Sequence, residues 1–429
     1  THGSELAGLE EMPFIVREMT DHEAVHTYGP FAASCLGHTP EVVIDEVYKQ
    51  AKTMMHVADM PTRPRAELVK ELASIAPAGM DPVIHTEIGG SAAVELALQI
   101  AEYHTPEPQH GIISYYGGYH GRMSGGLSAT PCAYYREKVP AIKNDFTRIP
   151  FPYCYRCFYG REYPSCDMFC LKALRSMFTT PECGLYDPAT KTNLVSTLIV
   201  EPAQFHGGGV YAPKEYFKGV RELCDEFGIV FIADEIATGF GRTGSMFACD
   251  QAGVSPDIMC VSKGLTGGYM PMSITITTQK IYDAFYADYR EGKAFMHSHT
   301  YSGNPLGCSA ALAVLKVLDE EQIIPRAQEK APLFRRMIVE ALGNHPHVGE
   351  IRSLGLVNAI ELVENRETKK SFPSEQRLGY RIYREALKRG LLLRPLGDVL
   401  YFNPPLVISP EEMEEAVSIC ASCIRKVLG

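Results

Sequence analysis

From about residue 40 onward, two textures alternate along this chain. Stretches with an apolar residue every three or four positions read as amphipathic helices, and short unbroken apolar runs read as strands buried on both faces. Val43, Val47 and Met54 form a helical face that opens at Thr39-Pro40, an N-cap with proline in the first turn. Leu68, Leu72 and Ile75 form another over 65–75. Strands are predicted at 83–87, 111–115, 194–200, 229–234, 258–262 and 273–277, with helices such as 92–104 and 214–227 between most of them. Strands separated by helices imply an α/β fold with a mostly parallel central sheet covered on both faces. After Asn304 the pattern changes to long helices at 305–318, 325–342, 373–389 and 410–428, with short strands near 354–362 and 399–402. That is the texture of a smaller α+β domain. The expected division is an N-terminal segment at 1–57 joining the small domain, a large domain at 58–300 and the small domain at 301–429.

Two of the predicted strands end in charge. The run Ile229-Val230-Phe231-Ile232-Ala233 ends at Asp234, and Ile258-Met259-Cys260-Val261-Ser262 ends at Lys263. A carboxylate at the mouth of a dry strand is costly unless a cation faces it, and a lysine there loses pKa and becomes a nucleophilic amine. Open α/β sheets bind ligands at the carboxyl ends of their strands, where both residues fall. Pyridoxal phosphate (PLP) needs such a pair: an amine to form an imine with its aldehyde, and an acid to keep its ring nitrogen protonated. Taken singly, each residue also fits an ordinary strand-end cap or a snorkelling surface lysine.

The loops between these elements supply further chemistry. Gly89-Gly90-Ser91 follows a strand and opens a helix, a phosphate seat or a plain turn. Tyr119, on the glycine-flanked loop Gly117-Gly118-Tyr119-His120-Gly121-Arg122, can stack on a flat ring. Gln204 follows another apolar strand, and the polar loop 299–305 carries Thr300. Cys154, Cys157, Cys166 and Cys170 are spaced to permit one zinc or iron centre, and equally to form a reduced thiol cluster in an aromatic loop. No metal is expected at the chemical site. The chain has 429 residues, 45% hydrophobic, and a net charge of -10 without a long basic run, which argues against nucleic acid and anionic membrane surfaces as partners. The thirteen scattered cysteines and the lack of a membrane-length apolar window predict a cytoplasmic protein.

Taken together, Leu36-Gly37-His38, Gly90-Ser91, Tyr119-His120-Gly121, Glu201-Pro202 with Gln204, Asp234-Glu235 with Thr238 to Gly244, Lys263-Gly264, Thr300, Arg394-Pro395 and Pro404-Pro405-Leu406 resemble the class III aminotransferases, enzymes of PLP fold type I. The resemblance runs from about Gly37 to Leu406. It implies that Lys263 binds the cofactor as a Schiff base and moves the proton, and that Asp234 pairs with the ring nitrogen. It also implies that Ile236 and Tyr119 flank the ring, that Gly90 and Ser91 hold the phosphate with Thr300 of a neighbouring subunit, and that Gln204 sits by the phenolic oxygen. A homodimer or dimer of dimers follows from the same resemblance.

The chain departs from the family pattern at Ala92 and Ala237, where many relatives carry Glu and Gln, and at His206, where glutamate-using relatives carry Glu. Its short N-terminal segment brings Tyr28 and Phe31 as candidates for the substrate entrance. Arg394 is expected to bind an acceptor carboxylate, and Arg122 a distal anionic group of the donor. The predicted activity is transfer of an amino group from an amine or ω-amino acid to a 2-oxo acid, pyruvate in particular. A PLP racemase, decarboxylase or lyase would share these residues. A non-catalytic PLP- or metal-binding regulator is the alternative from another class.

Overall fold

The computed structural model describes residues 32–57, 60–105, 110–136, 139, 146–187 and 189–429. Among these, strands β1 (Pro82–Glu87), β2 (Gly111–Tyr115), β3 (Phe146–Ile149), β4 (Val195–Val200), β5 (Val230–Asp234), β6 (Ile258–Val261) and β7 (Ser273–Thr278) form one sheet in the order β1-β7-β6-β5-β4-β2-β3. Its pairs from β6 through β5, β4 and β2 to β3 are parallel. The unbroken apolar runs are explained by burial on both faces. In β5, Phe231 and Ala233 join a core with Tyr115, Phe178, Tyr216 and Val220, while Val230 and Ile232 join a second core with Val94, Ala97 and Ala101 of the helix Gly90–His104.

Strand β7 runs antiparallel to both β1 and β6. The link from Val261 to Ser273 contains one 3-10 turn, Lys263–Thr266, and reverses the chain without a crossover helix, so only antiparallel pairing is available. Edge strand β3 was not predicted, because four residues carry too little periodicity to be read.

A second sheet is wholly antiparallel: β8 (Val348–Leu354), β9 (Val357–Leu362), β10 (Arg394–Leu396) and β11 (Val399–Phe402), in the order β8-β9-β11-β10. The helices Ile323–Leu342, Leu378–Leu387 and Pro410–Leu428 contribute Phe334, Ile382 and Cys420 to the core that covers it. That core continues through Leu68, Leu72, Val314 and Val261 to the large sheet.

Most helix boundaries fall within two residues of expectation, and two departures have a visible cause. The helix predicted over 373–389 begins at Leu378, because Arg377 has φ 45° and interrupts it after the turn Ser374–Gln376. The helix Glu41–Thr53 ends before Met54, which is extended and exposed rather than part of the apolar face. No helix among the described residues is long and apolar enough to cross a membrane.

Candidate active site

A cavity of about 320 Å³ opens where the carboxyl ends of β4, β5 and β6 meet the second sheet. Asp234 enters it as the last residue of β5, and Lys263 follows β6, its neighbour in the sheet. Lys263 has φ 46°, a left-handed conformation that costs a lysine energy and that the packed turn around it must enforce. Loss of hydration lowers its pKa, and the charges of Arg394 and Arg242 push the same way, although Asp234 and Glu201 oppose them. The result is an amine with a larger neutral fraction than a surface lysine has.

Asp234 is buried, and its carboxylate accepts a hydrogen bond at 2.8 Å from Nδ1 of His120, which is buried too. Burial pulls the His120 pKa down, but the bond to Asp234 and the charges of Asp234 and Glu201 outweigh it, so the net shift is upward. Glu201, at the end of β4, accepts from the Tyr119 backbone N–H at 2.7 Å. Burial raises its pKa to about 7, with the His120 charge opposing. Beside the Asp234–His120 pair, Glu201 thus titrates near neutrality.

The helix Gly90–His104 aims its N-terminus at the cavity, with Gly90 and Ser91 on the wall. A Cβ on Gly90 would stand 3.0 Å from Ile236 Cδ1, so only glycine leaves both the backbone and Ile236 in place. Gly121 has φ 108° and would meet Ser91 Oγ at 2.5 Å if it carried a Cβ. The free N–H groups of that helix start suit an anion. Tyr119, Tyr135 and His206 pack ring to ring at 5.2–5.4 Å along another wall. From the second sheet come Arg394, Tyr401 opposite it in register, and Asn403. His120 Nε2 and Asn403 Oδ1 are buried and have no hydrogen-bond partner. Orphaned polar atoms in residues around a cavity are what a polar ligand satisfies.

Residues 12–424 match the family model described as aminotransferase class-III. The chain belongs to the class III aminotransferases. It is 40% identical over 84% of its length to the adenosylmethionine-8-amino-7-oxononanoate aminotransferase of Geobacter sulfurreducens, covering 79% of that protein. The counterpart from Methanocaldococcus jannaschii is 35% identical over 88% of the chain and 83% of the relative. The crystal structure of the Methanocaldococcus enzyme superposes with a TM-score of 0.83 at 31% identity, over 93% of this chain and 88% of that one. An amine transaminase from an uncultivated Pseudomonas species, in its PLP-bound form, superposes with a TM-score of 0.87 at 27% identity, covering 97% and 99% of the two chains. The aminotransferase is therefore a PLP-dependent enzyme of fold type I that moves an amino group from an amine to a 2-oxo acid.

Of the residues predicted from sequence, the cavity brings together Lys263, Asp234, Gly90, Ser91, Tyr119, Ile236 and Arg394. Three others stand elsewhere. Gln204 is buried behind the loop after β2, where its amide donates to Tyr116 O at 3.1 Å, so Glu201 and not Gln204 faces the cavity from this strand end. Arg122 is exposed, with its guanidinium 4.7 Å from the Tyr135 ring centroid, and does not line the cavity. Thr300 is exposed and outside the cavity of its own chain. Tyr28 and Phe31 lie outside the described residues.

Glu201 falls in the strand-end motif expected to reach the Lys263 neighbourhood, and it does line the cavity with Lys263, whereas sequence reasoning gave no role to His120, Tyr135, Tyr401 or Asn403. His120 was within a quoted motif, and its signal was adjacency to Tyr119. The others needed the fold. The four loop cysteines are free and only partly buried, and they face one small pocket with Tyr153, Tyr159 and Phe169. Burial and the neighbouring cysteines raise the Cys154 thiol to about 11.

Proposed function

We propose that this aminotransferase takes its amino group from a primary amine or ω-amino acid and passes it to a small 2-oxo acid, pyruvate in preference to 2-oxoglutarate. The observation that carries the reading is Arg394 on the cavity wall with His206 beside it. Burial, Arg394 and Lys263 all lower the His206 pKa, so at neutral pH it is an uncharged ring. In glutamate-using relatives the corresponding residue is an acid that neutralises the arginine while a substrate without the second carboxylate is bound. A neutral histidine offers no such switch, and Arg394 is then best matched to the one carboxylate of a small acid.

PLP, when bound, supplies the electron sink for the reaction. Gly90 and Ser91 would hold its phosphate at the helix start, Ile236 and Tyr119 would flank its ring, and Asp234, hydrogen-bonded by His120, would face the ring nitrogen. Lys263 takes the proton from the donor carbon with its neutral amine and returns it one position away, which is general acid–base catalysis by a desolvated amine. Arg394 fixes the carboxylate of the acceptor, and Tyr119, Tyr135 and Phe205 keep water from the reacting centre. Thr300, exposed in its own chain, completes the phosphate grip of a second copy, which makes the active unit a dimer. The division at 57/58 and 300/301 is part of the same reading.

A second reading rests on the names of the curated relatives: adenosylmethionine as donor and 8-amino-7-oxononanoate as acceptor. The test is a direct competition. Holoenzyme charged with an ω-amino acid is offered pyruvate and 2-oxoglutarate together, and alanine and glutamate are counted. Adenosylmethionine with 8-amino-7-oxononanoate is assayed alongside. Alanine in excess supports the proposal; glutamate in excess, or turnover confined to the adenosylmethionine pair, overturns it.

A further inference from the structure

Outside the active-site cavity, one cluster of side chains leaves a buried imidazole nitrogen without a hydrogen-bond partner beside a buried carboxylate. Glu87 ends β1, immediately before the Gly89–Ser91 turn, and its carboxylate is buried. His299 Nδ1 lies 2.6 Å from Glu87 Oε2, and His297 Nε2 lies 3.6 Å from Glu87 Oε1. Among the described residues, these three are the one group of His, Cys, Asp and Glu side chains whose ligand atoms all stand within 4.8 Å of one another.

The tautomer of His297 decides what the cluster is for. Its Nδ1 lies 3.2 Å from Gln99 Oε1, an acceptor, so Nδ1 carries the hydrogen. In the neutral ring, Nε2 then presents a lone pair, and that atom is buried without a hydrogen-bond partner. A lone pair facing a buried carboxylate is repulsive unless a proton or a metal cation lies between them, and 3.6 Å is long for a charge-assisted hydrogen bond but fits two ligands of one metal. The ring is held in this direction by its stacking on Phe295, with centroids 5.8 Å apart and planes at 10°. Ser302 Oγ supports the other side, donating to Glu87 Oε2 at 3.4 Å and accepting from the His299 backbone N–H at 3.0 Å. A metal-bound histidine whose second nitrogen donates to a fixed acceptor, beside a carboxylate held by its own neighbours, has this organisation.

We propose that Glu87, His297 and His299 bind one divalent transition-metal cation of the zinc type, with water in the remaining position. Bonds of about 2.1 Å in a tetrahedron set ligand atoms roughly 3.4 Å apart. The distance from His297 already meets this, and His299 needs to withdraw by less than an ångström. His299 coordinates through Nδ1, so the hydrogen that it now directs at Glu87 moves to Nε2 as the metal enters, and the ring stays neutral. The two histidines and the carboxylate are borderline ligands that suit zinc better than calcium or magnesium. The ion ties the loop that carries Thr300 to the strand that feeds the Gly90–Ser91 helix start. Its role is structural, because none of its ligands lines the active-site cavity.

Holoenzyme purified without metal-affinity resin and dialysed against chelator is titrated with zinc by calorimetry, and with cobalt by visible absorption. The proposal expects about one site per chain, a rise in melting temperature, and cobalt d–d bands without intense near-ultraviolet thiolate charge transfer. Glu87→Gln and His297→Asn should each weaken binding at least a hundredfold while PLP absorbance is kept. Should either variant misfold, the wild-type cobalt spectrum still decides. The proposal is overturned by an absence of binding, by thiolate charge transfer that locates the metal at the cysteine loop, or by binding that survives both substitutions.

Discussion

Replacing Asp234 with Asn changes one charge and almost no volume, and it probes the link between β5 and the loop after β2. In the wild type, His120 donates to Asp234 at 2.8 Å with both side chains buried. A charge-assisted hydrogen bond of this kind contributes about 1.5–3 kcal/mol and a neutral one about 0.5–1.5 kcal/mol, so the variant should lose about 1–2 kcal/mol of stability. The His120 pKa is raised only because Asp234 and Glu201 overcome burial. With Asp234 neutralised, burial should prevail and the His120 pKa should fall. A raised histidine pKa stabilises the fold fully below its unfolded value near 6.5, and that stabilisation is lost as pH rises through the folded value. The stability gap between wild type and variant should therefore be widest on the acid side of neutrality and narrow above it.

The same substitution leaves the ring nitrogen of bound PLP without an anionic partner. Losing a preorganised charge of this kind raises a barrier by about 3 kcal/mol, or roughly a hundredfold in rate. Stopped-flow measurement of the donor half-reaction reads the rate, histidine-selective NMR reads the His120 titration, and denaturant unfolding at several pH values reads the gap. A half-reaction within threefold of wild type, with an unmoved His120 titration, would refute the reasoning.

Lys263→Ala should retain the fold and cofactor binding through the phosphate seat, yet lose all but a few thousandths of turnover, because covalent and acid–base roles vanish together; substantial residual transamination measured by product formation would count against it. Arg394→Ala should raise the KM for pyruvate by the equivalent of roughly 2–5 kcal/mol and leave that for a donor amine without a carboxylate nearly unchanged. His206→Glu should shift the product ratio in the pyruvate–oxoglutarate competition toward glutamate, and an unchanged ratio would remove His206 from the argument. Sedimentation should find a dimer at all concentrations that support activity, whereas a fully active monomer would show that Thr300 serves no second active site.

Local pattern was enough to set the order and kind of most elements. β-Branched runs such as Ile229–Ala233 have no polar face to expose, so they can only be strands covered twice, and the helices between them must do the covering. The chemistry at Asp234 and Lys263 was legible for the same reason: a charge directly after such a run has no cheap structural role. What the sequence could not carry was anything that depends on how distant segments meet. The antiparallel direction of β7, the retreat of Gln204 behind Tyr116, and the pairing of His120 with Asp234 across 114 positions follow from packing and not from local pattern. His297 and Glu87 are 210 residues apart in the numbering and meet only because β1 pairs beside β7. Periodicity reports which face of an element is dry, a property of neighbouring residues. Which polar groups share that dry space is decided by tertiary contact, where the cost of leaving a buried donor or acceptor unpaired selects the partners.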